Sequence, residues 1–112
     1  MKIYGIPNCG SVKKAFDFMK VNEIEFEFID LKKTKPSHTQ IEGWAKAVTM
    51  DKLFNTKGTK YRSSGLDYKS MGENEKLAAL RKEPTMIKRP VIEHKGEVLV
   101  GFDESTYRAI LE

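Results

Sequence analysis

Apolar and polar residues change period several times along the chain, and each change predicts an element. Residues 2–5 (Lys-Ile-Tyr-Gly) form a short apolar-centred run and predict a strand, followed by a turn at Pro7, Asn8 and Gly10. From Ser11 the apolar positions Val12, Ala15, Phe16 and Met19 recur at helical spacing, with Lys13, Lys14, Asp17 and Lys20 on other faces. This helix starts at a Gly10 or Ser11 cap and ends near Asn22. Residues 24–30 alternate apolar and charged side chains, which predicts a second strand. Strand, helix and strand in so short a span imply a parallel pair with a right-handed crossover.

The middle of the chain reads differently. Pro36 and Ser37 open a helix over 37–48, with Ile41, Trp44, Ala45 and Val48 on one face and Trp44 as a core residue. A short helix is expected over 51–54, a polar loop over 55–65, and further helices over 66–71 and 73–82, where Leu77, Ala78 and Leu80 are apolar. Pro84 closes this block. Residues 90–94 and 97–100 flank the turn signal Lys95-Gly96 and predict a hairpin. A last helix is expected over 103–111, started by Asp103 or Ser105, with Tyr107, Ile110 and Leu111 apolar. The fold class is therefore α/β. A βαβ unit, a helical insertion over about 36–83, a β-hairpin and a C-terminal helix share one four-stranded mixed sheet in a single domain over 1–112.

Composition narrows the function. A chain of 112 residues with 39% hydrophobic and 32% charged residues can bury one core without a disulfide or a metal. No apolar run approaches the roughly 20 residues needed to span a bilayer, and no signal-peptide pattern follows Met1, so a cytoplasmic setting without membrane contact is expected. The net charge of +4 suits a small anion or an acidic partner and is too weak to point to nucleic acid. His38 and His94 lack metal-ligand spacing and read as surface or strand residues, so no metal is expected. Gly10-Ser11 lacks the remaining residues of a phosphate-binding loop.

The chain holds one cysteine, Cys9, which can form no intramolecular disulfide. A lone cysteine is often an inert core residue. This one lies between the first strand and the first helix, where the N–H groups of Gly10, Ser11, Val12 and Lys13 are expected to gather. Those groups and the helix dipole favour a thiolate, and the thiolate is the nucleophile. They also suit a bound oxyanion. Lys13 and Lys14 add positive potential, and Arg89, just before Pro90, is placed to bring a guanidinium beside the sulfur.

Residues 3–16 (Ile-Tyr-Gly-Ile-Pro-Asn-Cys-Gly-Ser-Val-Lys-Lys-Ala-Phe) resemble the active-site segment of the arsenate reductase-like family that also holds the Spx and YffB proteins. Residues 86–91, with their Arg-Pro, resemble its second signature. The resemblance covers the whole chain and implies a thioredoxin-like fold with a helical insertion. It implies that Cys9 is the nucleophile, that Arg89 contacts the oxyanion, and that Asn8, Gly10, Ser11, Val12, Lys13, Asn55 and Pro90 line the site. Lys57 or Arg62 are further candidates for the lining. Arsenate reductases of the family attack arsenate with this cysteine and draw on glutathione and glutaredoxin.

The chain also departs from that pattern. The family histidine four residues before the cysteine falls at Gly5, the serine three residues after it at Val12, and two further oxyanion arginines at Asn55 and Phe102. Loss of two guanidiniums weakens dianion binding by several charge-assisted hydrogen bonds, each worth about 1.5–3 kcal/mol. Spx regulators carry a Cys-x-x-Cys switch here, which Cys9-Gly10-Ser11-Val12 does not provide. Segments 55–59 and 100–105 resemble the YffB branch most, which implies a glutathione-dependent thiol reductase with no bound cofactor. Arsenate reduction proper, and a non-catalytic RNA-polymerase-binding role of the Spx kind, are the alternatives the resemblance carries.

Overall fold

The elements run in the order β1 (Lys2–Gly5), α1 (Gly10–Val21), β2 (Glu27–Asp30), α2 (His38–Val48), α3 (Met50–Leu53), α4 (Thr59–Ser64), α5 (Glu73–Lys82), β3 (Val91–His94), β4 (Glu97–Val100) and α6 (Glu104–Leu111). The computed structural model describes residues 1–111. The described chain falls into two compact units, one made of residues 1–30 with 89–111 and the other of residues 31–88.

The first unit carries one sheet in the order β2-β1-β3-β4. β1 pairs with β2 in parallel, from Lys2 opposite Glu27 to Gly5 opposite Asp30. β1 with β3 and β3 with β4 are antiparallel, which sets Ile3 opposite Ile92 and Ile92 opposite Leu99. These side chains pack with Ala15, Phe18 and Met19 of α1 and Tyr107 and Leu111 of α6 into one buried cluster. The mixed α/β sheet is thus the one its apolar pattern predicts. Within α1, Phe18 takes the buried position and Phe16 is only partly buried. The Phe16 ring stacks on Phe26 and meets Phe28 edge-on, with centroids 5.1 Å apart in each pair.

β2 is shorter than the alternation over 24–30 suggests. β1 starts at Lys2 opposite Glu27, so residues 24–26 have no strand beside them. The Ile24 N–H instead donates to the Met19 carbonyl and finishes α1, while Ile24 and Phe26 pack against the cluster. The alternation there records packing rather than pairing. β3 likewise begins at Val91, one residue after Pro90, whose ring leaves no N–H for a ladder. At the hairpin, Lys95 (φ 49°) and Gly96 (φ 82°) both adopt the left-handed conformation that a two-residue type I′ connection demands.

α6 is capped by Asp103, whose Oδ1 accepts from the Ser105 and Thr106 N–H groups at 3.1 and 3.5 Å. Buried Tyr107 donates its hydroxyl to the Gly101 carbonyl at 2.6 Å, and the Gly101 N–H donates to the Pro90 carbonyl at 2.8 Å. Burial, reinforced by the Asp103 carboxylate, pushes the Tyr107 phenol well above its ordinary pKa, so it stays a neutral donor. Tyr107→Phe leaves the buried Gly101 carbonyl without that donor and is expected to cost about 1–3 kcal/mol. Urea denaturation of the variant measures this, and an unchanged midpoint would contradict the assigned bond.

The second unit is helical. Ser37 caps α2 by accepting from the Gln40 N–H at 3.1 Å, and Ile41, Trp44 and Ala45 are buried. Leu77 and Leu80 of α5 are also buried, and α5 packs on α2. Three expectations are corrected here. Segment 55–65 is not all loop, because Thr59–Ser64 form α4 between a Gly58 cap and a left-handed Gly65 (φ 78°). Its polar composition hid it, since α4 buries no side chain fully and Tyr61 alone carries its aromatic contact with Phe54. Residues 66–71 are not a regular helix. Only Tyr68–Ser70 make a single 3₁₀ turn, between Gly65 and Gly72, held where the Tyr68 N–H donates to the Tyr61 hydroxyl at 2.8 Å. Phe54, expected at the end of α3, instead bridges to Ile87.

Candidate active site

Two separate parts of the chain meet at Cys9 within the first unit. β1 ends at Gly5, the chain turns through Pro7 and Asn8, and Cys9 becomes the cap residue of α1 with extended backbone angles (φ −98°, ψ 128°). Its carbonyl accepts from the Lys13 N–H at 3.1 Å, which closes the first helical hydrogen bond. That bond corrects one expectation: the Lys13 N–H is engaged and does not join the groups facing the sulfur. The donors a cap side chain meets are those two and three residues on, here Ser11 and Val12.

The Cys9 thiol is half-buried. Burial pushes its pKa up, but the Val12 N–H, the Arg89 guanidinium and the Ser11 N–H, in that order, together hold it below the ordinary thiol range. The neutral thiol makes no capping hydrogen bond of regular geometry. The same N–H groups favour the charged sulfur, so their hold strengthens on ionisation. Arg89 approaches from the segment before β3, and its peptide bond to Pro90 is cis. Pro90 is buried and its carbonyl is tied to Gly101.

The other residues named from sequence have distinct placements. Asn8 and Gly10 are exposed beside Cys9, and Lys13 and Lys14 are exposed on α1. Asn55 belongs to the second unit. There its Oδ1 accepts from the Lys57 N–H at 3.2 Å and its own N–H donates to the Met86 carbonyl at 2.8 Å, so it shapes the turn before α4. Lys57 and Arg62 are exposed in that unit. Phe102 packs on the core and meets Tyr107 edge-on at 5.0 Å, so that position supplies bulk rather than charge. His38 is exposed and lies 3.9 Å from Glu42. Among the described residues, no group of three or more histidine, cysteine or acidic side chains is placed to hold a metal, and no helix is long and apolar enough to cross a membrane.

One relationship escaped the sequence reading. A Cβ on buried Gly5 would stand 2.7 Å from Cγ2 of Val12. No periodicity announces a contact between a strand end and the first turn of the following helix.

A half-buried cysteine at a helix N-terminus, with an arginine from before a cis-proline strand acting on its sulfur, forms the candidate site on a mixed sheet. The ArsC family profile matches residues 4–110, and the chain belongs to that family. An uncharacterized protein of Haemophilus influenzae is 35% identical, over 96% of this chain and 95% of its own. The solved structure of a YffB protein superposes with a TM-score of 0.91 at 30% identity, covering 99% of this chain and 98% of that one. More distant relatives include a global transcriptional regulator Spx of Streptococcus agalactiae, 25% identical over 94% of this chain and 78% of its own. An arsenate reductase of Rhizobium meliloti is 28% identical over 80% of this chain and 66% of its own.

Proposed function

We propose that this protein is a cytoplasmic thiol oxidoreductase that works through Cys9 and uses glutathione as co-substrate. The observation that carries this reading is the placement of Cys9 as the cap residue of α1, where the Val12 and Ser11 N–H groups and the Arg89 guanidinium favour its thiolate against the opposing effect of burial. The Cys9 thiolate attacks one sulfur of an oxidised substrate R–S–S–R′. A Cys9–S–S–R bond forms and R′–S⁻ leaves. The chain has one cysteine, so the thiol that resolves this bond comes from another molecule. The glutathione thiolate attacks the R sulfur and Cys9 leaves as the thiolate, which its lowered pKa makes a good leaving group. R′ is released as its thiolate and the glutathione ends as a mixed disulfide with R, so the disulfide has moved from R–S–S–R′ to G–S–S–R. A second thiol, of glutathione or glutaredoxin, then releases R and completes the two-electron reduction. Asn8, Gly10 and Pro90 are proposed to line the substrate site.

The test is treatment with oxidised glutathione, followed by mass spectrometry and a pH titration of Cys9 alkylation. A glutathionyl adduct on Cys9 and a midpoint below the roughly 8.5 of free cysteine are expected. No adduct together with an ordinary midpoint would overturn the reading.

A second reading, arsenate reduction, rests on the same donors, because two N–H groups and a guanidinium suit an oxyanion. It draws support from the Rhizobium meliloti relative. Cys9-dependent turnover of arsenate with glutathione and glutaredoxin would establish it. Full complementation of a deletion strain by Cys9→Ser would favour a binding role instead, with RNA polymerase as the partner suggested by the Spx relatives.

A further inference from the structure

We propose that the Val12 side chain is the positioning residue for Cys9, acting through its close approach to the bare Cα of Gly5. The inference rests on the reading of Cys9 as the nucleophile and concerns what holds its donors in place. Gly5 is the last residue of β1, paired with Asp30, and it is buried. A Cβ there would meet Val12 Cγ2 at 2.7 Å, with Val12 Cγ1 and Phe28 Cε1 both at 3.7 Å. Real Cβ atoms do not approach a carbon so closely, so the contact exists only because residue 5 is glycine.

Val12 cannot relieve such a clash by swinging aside. It is 0% exposed, and a β-branched residue inside a helix is held to one strongly preferred rotamer. The pair therefore fixes the distance between the end of β1 and the first turn of α1. That turn carries the two N–H groups that face the Cys9 sulfur, and one of them is Val12's own. Gly10, by contrast, has nothing within 4 Å of where a Cβ would stand, so the fit at Gly5 is particular to this contact. The role assigned to the Val12 side chain is an indirect one. Val12 sets where its backbone and that of Ser11 stand relative to the sulfur.

The experiment is a double-mutant cycle on the full chain: Gly5→Ala, Val12→Ala and the double variant. The readout is the pH midpoint of Cys9 alkylation by iodoacetamide, which a purely structural role would leave in place. Gly5→Ala should push the first turn away and Val12→Ala should loosen it. Each should raise the midpoint and slow alkylation at pH 6 by about tenfold, the equivalent of one pKa unit. In the double variant the new methyl group fills part of the space left by Val12, so the rate should return to within about threefold of wild type.

A lowered wild-type midpoint that neither single variant moves would overturn the role of Val12 and leave the nucleophile reading standing. Equal or additive losses in the double variant would overturn it too. A wild-type midpoint equal to that of free cysteine would instead overturn the nucleophile reading itself. Should Gly5→Ala fail to fold, Val12→Ala alone decides, and a wild-type midpoint in that variant overturns the proposal.

Discussion

Replacing Arg89 with methionine is expected to slow the alkylation of Cys9 at pH 6 by roughly tenfold or more. Methionine keeps much of the apolar stem of arginine and removes its charge and donors. A hydrogen bond to a charged group contributes about 1.5–3 kcal/mol, and each 1.36 kcal/mol is a factor of ten in thiolate population. Arg89 acts on the sulfur both as a hydrogen-bond donor and through its charge, and both effects lower the pKa. The direction with pH follows. Below the folded pKa the rate tracks the thiolate fraction, so the variant lags. Well above it both proteins are fully ionised and their rates converge. Stability is linked in the same sense. Because ionisation is easier in the folded state, Cys9 stabilises the fold fully above the unfolded thiol pKa, and this contribution fades as pH falls through the folded one. Arg89→Met should flatten that slope. A variant matching wild type at both pH 6 and pH 10 would remove Arg89 from the site.

Trp44→Ala is expected to destabilise the protein by about 3–5 kcal/mol, the range for emptying a buried aromatic site. Trp44 is 1% exposed and shares the buried face of α2 with Ile41 and Ala45. A domain of ordinary stability holds only about 5–15 kcal/mol in reserve, so the urea midpoint should fall sharply. A loss below about 1 kcal/mol would mean that Trp44 is not packed as described.

The difference between what Trp44 and Cys9 reveal in sequence shows where pattern reading works. Trp44, Leu77 and Leu80 stand at helical spacing, and all three are buried. Ile3, Ile92 and Leu99 sit in short apolar strands and meet across the sheet. Such positions are legible because burial imposes a period. Local chemistry is legible in part: a cysteine between a strand and a helix start points to the N–H groups of Gly10 to Lys13, of which Val12 and Ser11 act on the sulfur while that of Lys13 is taken by the Cys9 carbonyl. α4 was hidden because it buries no side chain fully, and Gly58 and Gly65 read equally well as loop residues. The shortening of β2 was hidden because Ile24 and Phe26 alternate correctly for a strand that has no neighbour there. The Gly5–Val12 contact was hidden because it depends on how closely two backbones approach, which no residue count records.

The second unit is one uninterrupted stretch of chain, entered after Asp30 and left before Arg89. Asp30 ends β2 and Arg89 leads into β3, and these strands flank β1 on either side. Neighbouring strands lie about 4.8 Å apart, so the two points of attachment on the sheet are separated by roughly 10 Å. A few residues of extended chain can bridge that gap. The segment is thus attached as a cassette. The β1–β3 register that leads Arg89 toward Cys9 is made wholly within the first unit, from residues on either side of that segment.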